Sequence, residues 1–193
     1  YRRTGAGLYL AEQYLDEPLV QADSLLRLVD TSLLALQTFQ ADSITRELKK
    51  PQPFYYANRL FLLNLAAVYT TGFECPDTTR LVDELRAMAK ATSSIYEAYN
   101  NSFPQYKISE AYLGLYAQFL HLLDSVSTAF YRFDHYHMIR NYVEPLFRMN
   151  QQLIRKYGFY SKSLVDYTLN DQAESIFNKT LFAGQQAKGI YAL

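Results

Sequence analysis

Pro53-Phe-Tyr-Tyr-Ala-Asn-Arg-Leu-Phe-Leu-Leu-Asn-Leu-Ala-Ala-Val-Tyr-Thr-Thr71, followed by Gly72, decides the fold. Apolar residues (Phe54, Tyr55, Leu60, Phe61, Leu62, Leu63, Leu65, Val68) fall on most sides of a 3.6-residue turn, as in a helix surrounded by other helices. About 19 residues rise ~28 Å, roughly the diameter of a small domain. Gly72 is placed to end the helix in a left-handed cap, with a turn through Phe73-Glu-Cys-Pro76 beyond it.

Working towards the N-terminus, Ala41 to Lys50 is polar and ends at Pro51 and Pro53, which reads as a connection. Before it, Leu19, Leu25, Leu26, Val29, Leu33, Leu34 and Leu36 recur at three and four residues, the stripe of a half-buried helix. Pro18 suits its first turn and stops a shorter helix carrying Leu8, Leu10, Ala11, Tyr14 and Leu15.

Working towards the C-terminus, Asp77 or Thr78 is placed to cap a helix to about Asn100, with Leu81, Leu85, Met88, Ile95 and Tyr99 on one side. Asn100-Asn-Ser-Phe-Pro104 breaks it. Ser109 can cap a helix reaching about Tyr131, and Asp134 another ending at Gly158. Pro145 should kink or split that last helix, because it removes a backbone donor and crowds the preceding turn. Ser161 to Leu169 reads as a short helix, and Asp171-Gln-Ala-Glu174 as a capping box opening a final turn. Gly184 to Leu193 reads as a tail. No stretch alternates as a strand does, and no solenoid period recurs. The fold class is therefore all-α, a helical bundle of about six helices, with residues 1–178 as one domain and 179–193 as tail or linker.

Composition narrows the function. The 193 residues are 49% apolar, which suffices for one core. Lys and Arg total 19, as do Asp and Glu, so no basic stripe marks a nucleic-acid or anionic-membrane partner. Leu60 to Val68, the most apolar run, contains Asn64 and is far short of the ~20 residues that span a bilayer. No leader is visible behind Tyr1-Arg-Arg3. Cys75 is the only cysteine, so no intrachain disulfide forms and the redox compartment stays open. Asn100-Asn-Ser102 and Asn178-Lys-Thr180 fit the glycosylation pattern, which matters only in a eukaryotic secretory route. Tyr (18) outnumbers Phe (12), and Trp is absent. The plain reading is helix packing through half-buried tyrosines; a carbohydrate or aromatic-ligand surface is the sharper one.

Chemistry-bearing patterns are sparse. His135 and His137 are the metal candidates, but on a helix they diverge by about 200° and only an extended backbone would bring them to one ion. His121 reads as a satisfied histidine at the core edge, and Cys75 as a packed thiol. A single cysteine excludes Cys-x-x-Cys-His haem attachment within these residues, and His-Glu-x-x-His is absent. There is no Gly-rich phosphate loop and no nucleophile elbow. Glu12, Asp124 and Glu144 lie beside apolar faces, where a facing pair could do acid–base work as a stand-alone enzyme.

The order of four segments carries a resemblance: Gly7-Leu-Tyr-Leu-Ala-Glu-Gln-Tyr-Leu15, Tyr69-Thr-Thr-Gly-Phe-Glu-Cys-Pro76, Phe133-Asp-His-Tyr-His-Met-Ile-Arg-Asn-Tyr-Val-Glu-Pro-Leu146 and Ala173-Glu-Ser-Ile-Phe-Asn178. Together they resemble the N-terminal helical region ahead of the haem domains in Bacteroidetes-type di-haem cytochrome c peroxidase-like proteins, itself similar to the imelysin-like fold. The resemblance implies further helix before Gly7 and a haem c domain beyond Leu193, which would be this region's partner in the same polypeptide. It also implies a periplasmic or outer-membrane-anchored lipoprotein. Peroxidase chemistry would belong to that haem domain, and these residues would form a non-catalytic accessory module for docking, spacing or regulation. The imelysin metal motif has no counterpart among His121, His135 and His137, and no catalytic residue is carried over. The alternative is an imelysin-like binder of iron or haem.

Overall fold

The computed structural model describes residues 10–11, 22–39, 42–72, 78–126, 129–160, 169–178 and 181. Backbone contacts divide the chain into two units, residues 1–50 and 51–193. Every regular element among the described residues is helical, so the chain is an all-α helical bundle.

In the first unit, α1 spans Ala22–Phe39 and α2 spans Asp42–Leu48. The leucine stripe of α1 departs from expectation. Leu26, Val29, Leu33, Leu34 and Leu36 are exposed, and only Leu25 and Leu28 of that helix's larger aliphatic residues are partly covered. Residues 42–48, read as a connection, form a short helix. Thr45-Arg-Glu-Leu48 has adequate helix propensity, and its polarity reflects exposure rather than irregular backbone. Of the short helix expected over residues 8–15, Leu10 and Ala11 are described and both are helical.

The second unit holds α3 (Gln52–Thr71), α4 (Leu81–Ser102), α5 (Glu110–Ser125), α6 (His135–Met138), a π-helical segment (Ile139–Val143) and α7 (Glu144–Lys156). Helix α3 packs on α7 and the π segment, α4 packs on α5, and α5 on α7. One core joins them, with Tyr55, Leu62, Leu65, Tyr96, Tyr112, Tyr116, Phe119, Leu123, Leu146 and Phe147 fully buried. The quoted stretch is thus central, although Leu60 faces out and Leu63 is only partly covered.

Four helix ends follow local chemistry. Gly72 (φ +67°) donates its N–H to the Val68 carbonyl, a left-handed cap that a β-carbon would strain. The Ser109 hydroxyl accepts from the Tyr112 N–H (3.2 Å), and Asp134 from that of His137 (2.8 Å). Gly158 (φ +65°) ends α7, with the Phe159 N–H returning to the Ile154 carbonyl.

Three boundaries differ from the sequence reading. Helix α4 begins at Leu81 without a side-chain cap; Thr78 lies in the preceding turn and Asp77 outside the described residues, while Asp83 and Glu84 favour the helix dipole instead. Asn100 stays helical, and its amide holds both the N–H and the carbonyl of Ile108, closing the loop that follows. Helix α5 stops at Ser125 rather than Tyr131: the Ser125 hydroxyl bonds the Leu122 carbonyl, Val126 is extended, and a 3-10 turn covers Phe130–Arg132.

Ahead of Pro145 the α-helix is interrupted by the π-helical segment Ile139–Val143, which separates α6 from α7 without a break in helical backbone. The turn before the proline widens, so that the Glu144 N–H reaches the Ile139 carbonyl five residues back, and Pro145 then occupies the opening turn of α7, where no N–H is required. Residues 161–168 of the expected late helix, and residues 184–193 of the expected tail, lie outside the described residues.

Candidate functional site

Two polar assemblies occupy the interior of the second unit. The first joins α3, α4, α5 and α7. Asn58 donates to the Tyr112 hydroxyl (2.9 Å) and to Asn150 Oδ1 (2.9 Å), and its Oδ1 accepts from the Tyr96 hydroxyl (2.7 Å). The Tyr96 proton is thereby used, so in the 3.1 Å contact between the two phenols Tyr112 donates and Tyr96 accepts. Asn58, Tyr112 and Tyr96 thus form a closed ring of hydrogen bonds with one proton sense. Asn150 extends it by donating to the Tyr55 carbonyl (3.1 Å), and the Tyr116 hydroxyl donates to the Ala89 carbonyl (2.9 Å).

The rings of these tyrosines pack edge-on: Tyr96 meets Tyr112 at 5.5 Å and Tyr116 at 4.7 Å between centroids. Burial pushes the Tyr112 hydroxyl up to about 12 and drives those of Tyr96, Tyr116 and Tyr55 further above the ordinary phenol range. The phenols therefore stay protonated at neutral pH: they donate hydrogen bonds and offer no phenolate base. A cleft of about 180 Å³, lined by Phe54, Ala57, Asn58, Phe61, Thr92, Ile95 and Tyr96, borders this network.

The second assembly fastens a strap, residues 169–178, along α7. Arg59 on α3 pairs with Asp171 at 2.5 Å, with both side chains almost fully buried (6% and 9% exposed), and its guanidinium lies 5.0 Å over the Tyr56 ring. Gln151 Nε2 donates to the carbonyls of Asn170 (3.0 Å) and Ala173 (2.9 Å). The buried Glu144 carboxylate accepts the Ile176 N–H at 3.0 Å, and its other oxygen lies 3.4 Å from Arg148. Arg155 reaches the Gln172 carbonyl and the Glu174 carboxylate, each at 3.4 Å. Asp171 is therefore not the opening of a capping box. Its carboxylate turns inward to a buried cation, and the following N–H, of Gln172, is held by Asn170 Oδ1 instead.

The remaining sequence candidates are dispersed. His135 packs between Phe130 and Phe133, with Nε2 donating to the Phe130 carbonyl (3.1 Å) and a buried Nδ1 that accepts no hydrogen bond. His137 is exposed, and its Nδ1 accepts from Asn141 (2.9 Å). The two rings thus have different neighbours. Among the described residues, no group of three or more His, Cys, Asp or Glu is disposed to hold a metal. His121 is exposed rather than at a core edge, on an open cleft of about 500 Å³ that it lines with Gln118, Ser125 and Tyr142.

Asp124 is exposed, 2.8 Å from Lys90 and 3.5 Å from Arg86; the Lys90 hydrogen bond holds its carboxyl below the ordinary range. Asp124 shares no partner with Glu144, and Glu12 and Cys75 lie outside the described residues. No helix among the described residues is long and apolar enough to cross a membrane.

Compared with protein-family models, curated proteins and solved structures, the chain matches none. The sequence points to Glu144, Asp171 and Tyr55 in other roles, and to no role for Asn58, Arg59, Asn150 or Gln151. Asn58 and Arg59, set within an apolar helix, were the available signal, because a polar group in such a helix needs a partner.

Proposed function

We propose that the chain is a non-catalytic helical module that orients the polypeptide following it, as the accessory domain of a periplasmic or outer-membrane-anchored di-haem cytochrome c peroxidase-like protein. One bond carries the reading. Glu144, in the segment from Phe133 to Leu146, accepts the N–H of Ile176, in the segment from Ala173 to Asn178. Two stretches that carry the resemblance are therefore tied to each other in space. With the ion pair to Arg59, that bond holds the strap to the bundle. Docking and spacing are what such a fastening supports.

The test is the coding sequence beyond Leu193, expressed together with this chain. Two Cys-x-x-Cys-His motifs and a haem c spectrum with peroxide reduction are expected. A stop codon directly after Leu193 would overturn the proposal. The chain by itself, mixed with haem, should develop no stoichiometric Soret band; one that did would favour an imelysin-like haem binder.

A further inference from the structure

We infer that the open cleft between α5 and the π-helical segment is a binding site for a neutral saccharide, with Tyr142 as the platform for a sugar ring. The cleft, of about 500 Å³, has the size of a small-molecule site. Its walls come from α5 (Ala117, Gln118, His121, Leu122 and Ser125) and from Tyr142 of the π segment. Positions 118, 121, 122 and 125 are three or four residues apart, so they share one face of α5. The core of the bundle uses other positions of that helix, where Tyr112, Tyr116, Phe119 and Leu123 are buried.

The platform is supported before any ligand arrives. Tyr142 lies in the widened turn Ile139–Val143, and its ring rests on Phe119 (5.9 Å between centroids) and on His137 (5.8 Å). The His137 ring is held in turn by the Asn141 amide (2.9 Å). Little rotamer freedom is then left to lose on binding.

The polar groups around the ring are uncommitted and carry no fixed charge. Gln118 and His121 are exposed and make no hydrogen bond among the described residues. Ser125 spends its proton on the Leu122 carbonyl, which leaves its oxygen free to accept. An amide, an imidazole and a hydroxyl oxygen offer both donors and acceptors, as hydroxyl groups of a ligand require. Among the described residues no Lys, Arg, Asp or Glu lines the cleft, and the neighbouring Asp124 is engaged by Lys90 and Arg86. A charged ligand would lose hydration there without gaining an ion pair. A flat aromatic ligand could use the ring but would cover the polar groups without pairing them. A pyranose meets both demands: its C–H face lies on the electron-rich face of Tyr142, and its hydroxyl edge reaches Gln118, His121 and Ser125.

The isotope-labelled full chain is titrated by nuclear magnetic resonance with maltohexaose, cellohexaose, laminarihexaose and xylohexaose at millimolar concentration. At least one should give saturable shifts at Gln118, His121, Ser125 and Tyr142, with residues 169–178 unmoved. Tyr142→Ala should weaken that binding at least tenfold. Because Tyr142 also touches the core at Phe119, the surface pair Gln118→Ala with His121→Ala gives a second reading, with the same loss at unchanged helical circular dichroism. Oligogalacturonate, an acidic sugar, should bind at least tenfold more weakly than the best neutral one. Absence of a saturable shift with all four neutral sugars overturns the inference. So does binding that survives the surface pair, tighter binding of oligogalacturonate, or shifts at the cleft with phenol and none with the sugars.

Discussion

At the centre of the bundle Asn58 engages three buried partners on three other helices, and every member of its ring both gives and receives. Along α7 the buried amide of Gln151 uses only its donor end, and the charged pair beside it joins a helix to a short irregular strap. Both regions are polar and buried. They differ in what happens when a partner is lost. The centre is held by four helices, with a cleft only at its Asn58 and Tyr96 border, so freeing its groups requires helices to part, whereas the strap is fastened along one helix face and is expected to lift first. Buried polarity is therefore expected to be harder to release at the centre than along α7, because more helices hold it there.

The sharpest way to break the contrast is Asn58→Leu. It strands the Tyr96 proton, the Tyr112 oxygen and Asn150 Oδ1 at once, and should cost about 3–5 kcal/mol in urea unfolding at unchanged m-value. A loss near 1 kcal/mol would mean that water reaches the centre after all.

Alkaline titration probes the same region. Burial raises the Tyr112 hydroxyl from 10.0 to about 12, so the folded state keeps a proton that the unfolded chain releases above pH 10. This contribution is fully present below pH 10 and is lost as pH rises towards 12. Phenolate absorbance from the buried tyrosines should therefore appear together with loss of helical circular dichroism. Smooth titration of all tyrosines within a folded chain would contradict the closed centre.

Asp171→Asn should cost less, about 2–3 kcal/mol, because the amide oxygen can still accept from the buried Arg59 guanidinium. Amide exchange over residues 169–178 should rise at least tenfold while α3 and α5 keep their protection. A uniform rise across the bundle would place the strap in the same cooperative unit as the core.

Asp124→Asn stands at the far end. Its carboxylate and Lys90 are exposed, and half-buried Arg86 keeps the Leu123 carbonyl and Asp83, so the melting temperature should not move measurably.

The sequence by itself determined the all-helical class, the course of α3 and the caps at Gly72, Ser109, Asp134 and Gly158. Each of these depends on residues within one or two turns, where a 3.6-residue period, a hydroxyl three residues from an N–H, or a glycine free to take positive φ acts locally. Tertiary structure alone decided which polar groups meet. Asn58 finds Tyr112 and Asn150 at separations of 54 and 92 residues, and Arg59 finds Asp171 at 112. Nothing local marks Asp171 as an ion-pair partner; next to Gln172 and Glu174 it looks like a cap, and only the approach of α3 turns it inward. The leucines of α1 make the same point in reverse. Leu26, Val29, Leu33 and Leu36 have the spacing of a covered stripe and are exposed, because periodicity specifies which side of a helix is apolar and burial also requires a surface to cover it.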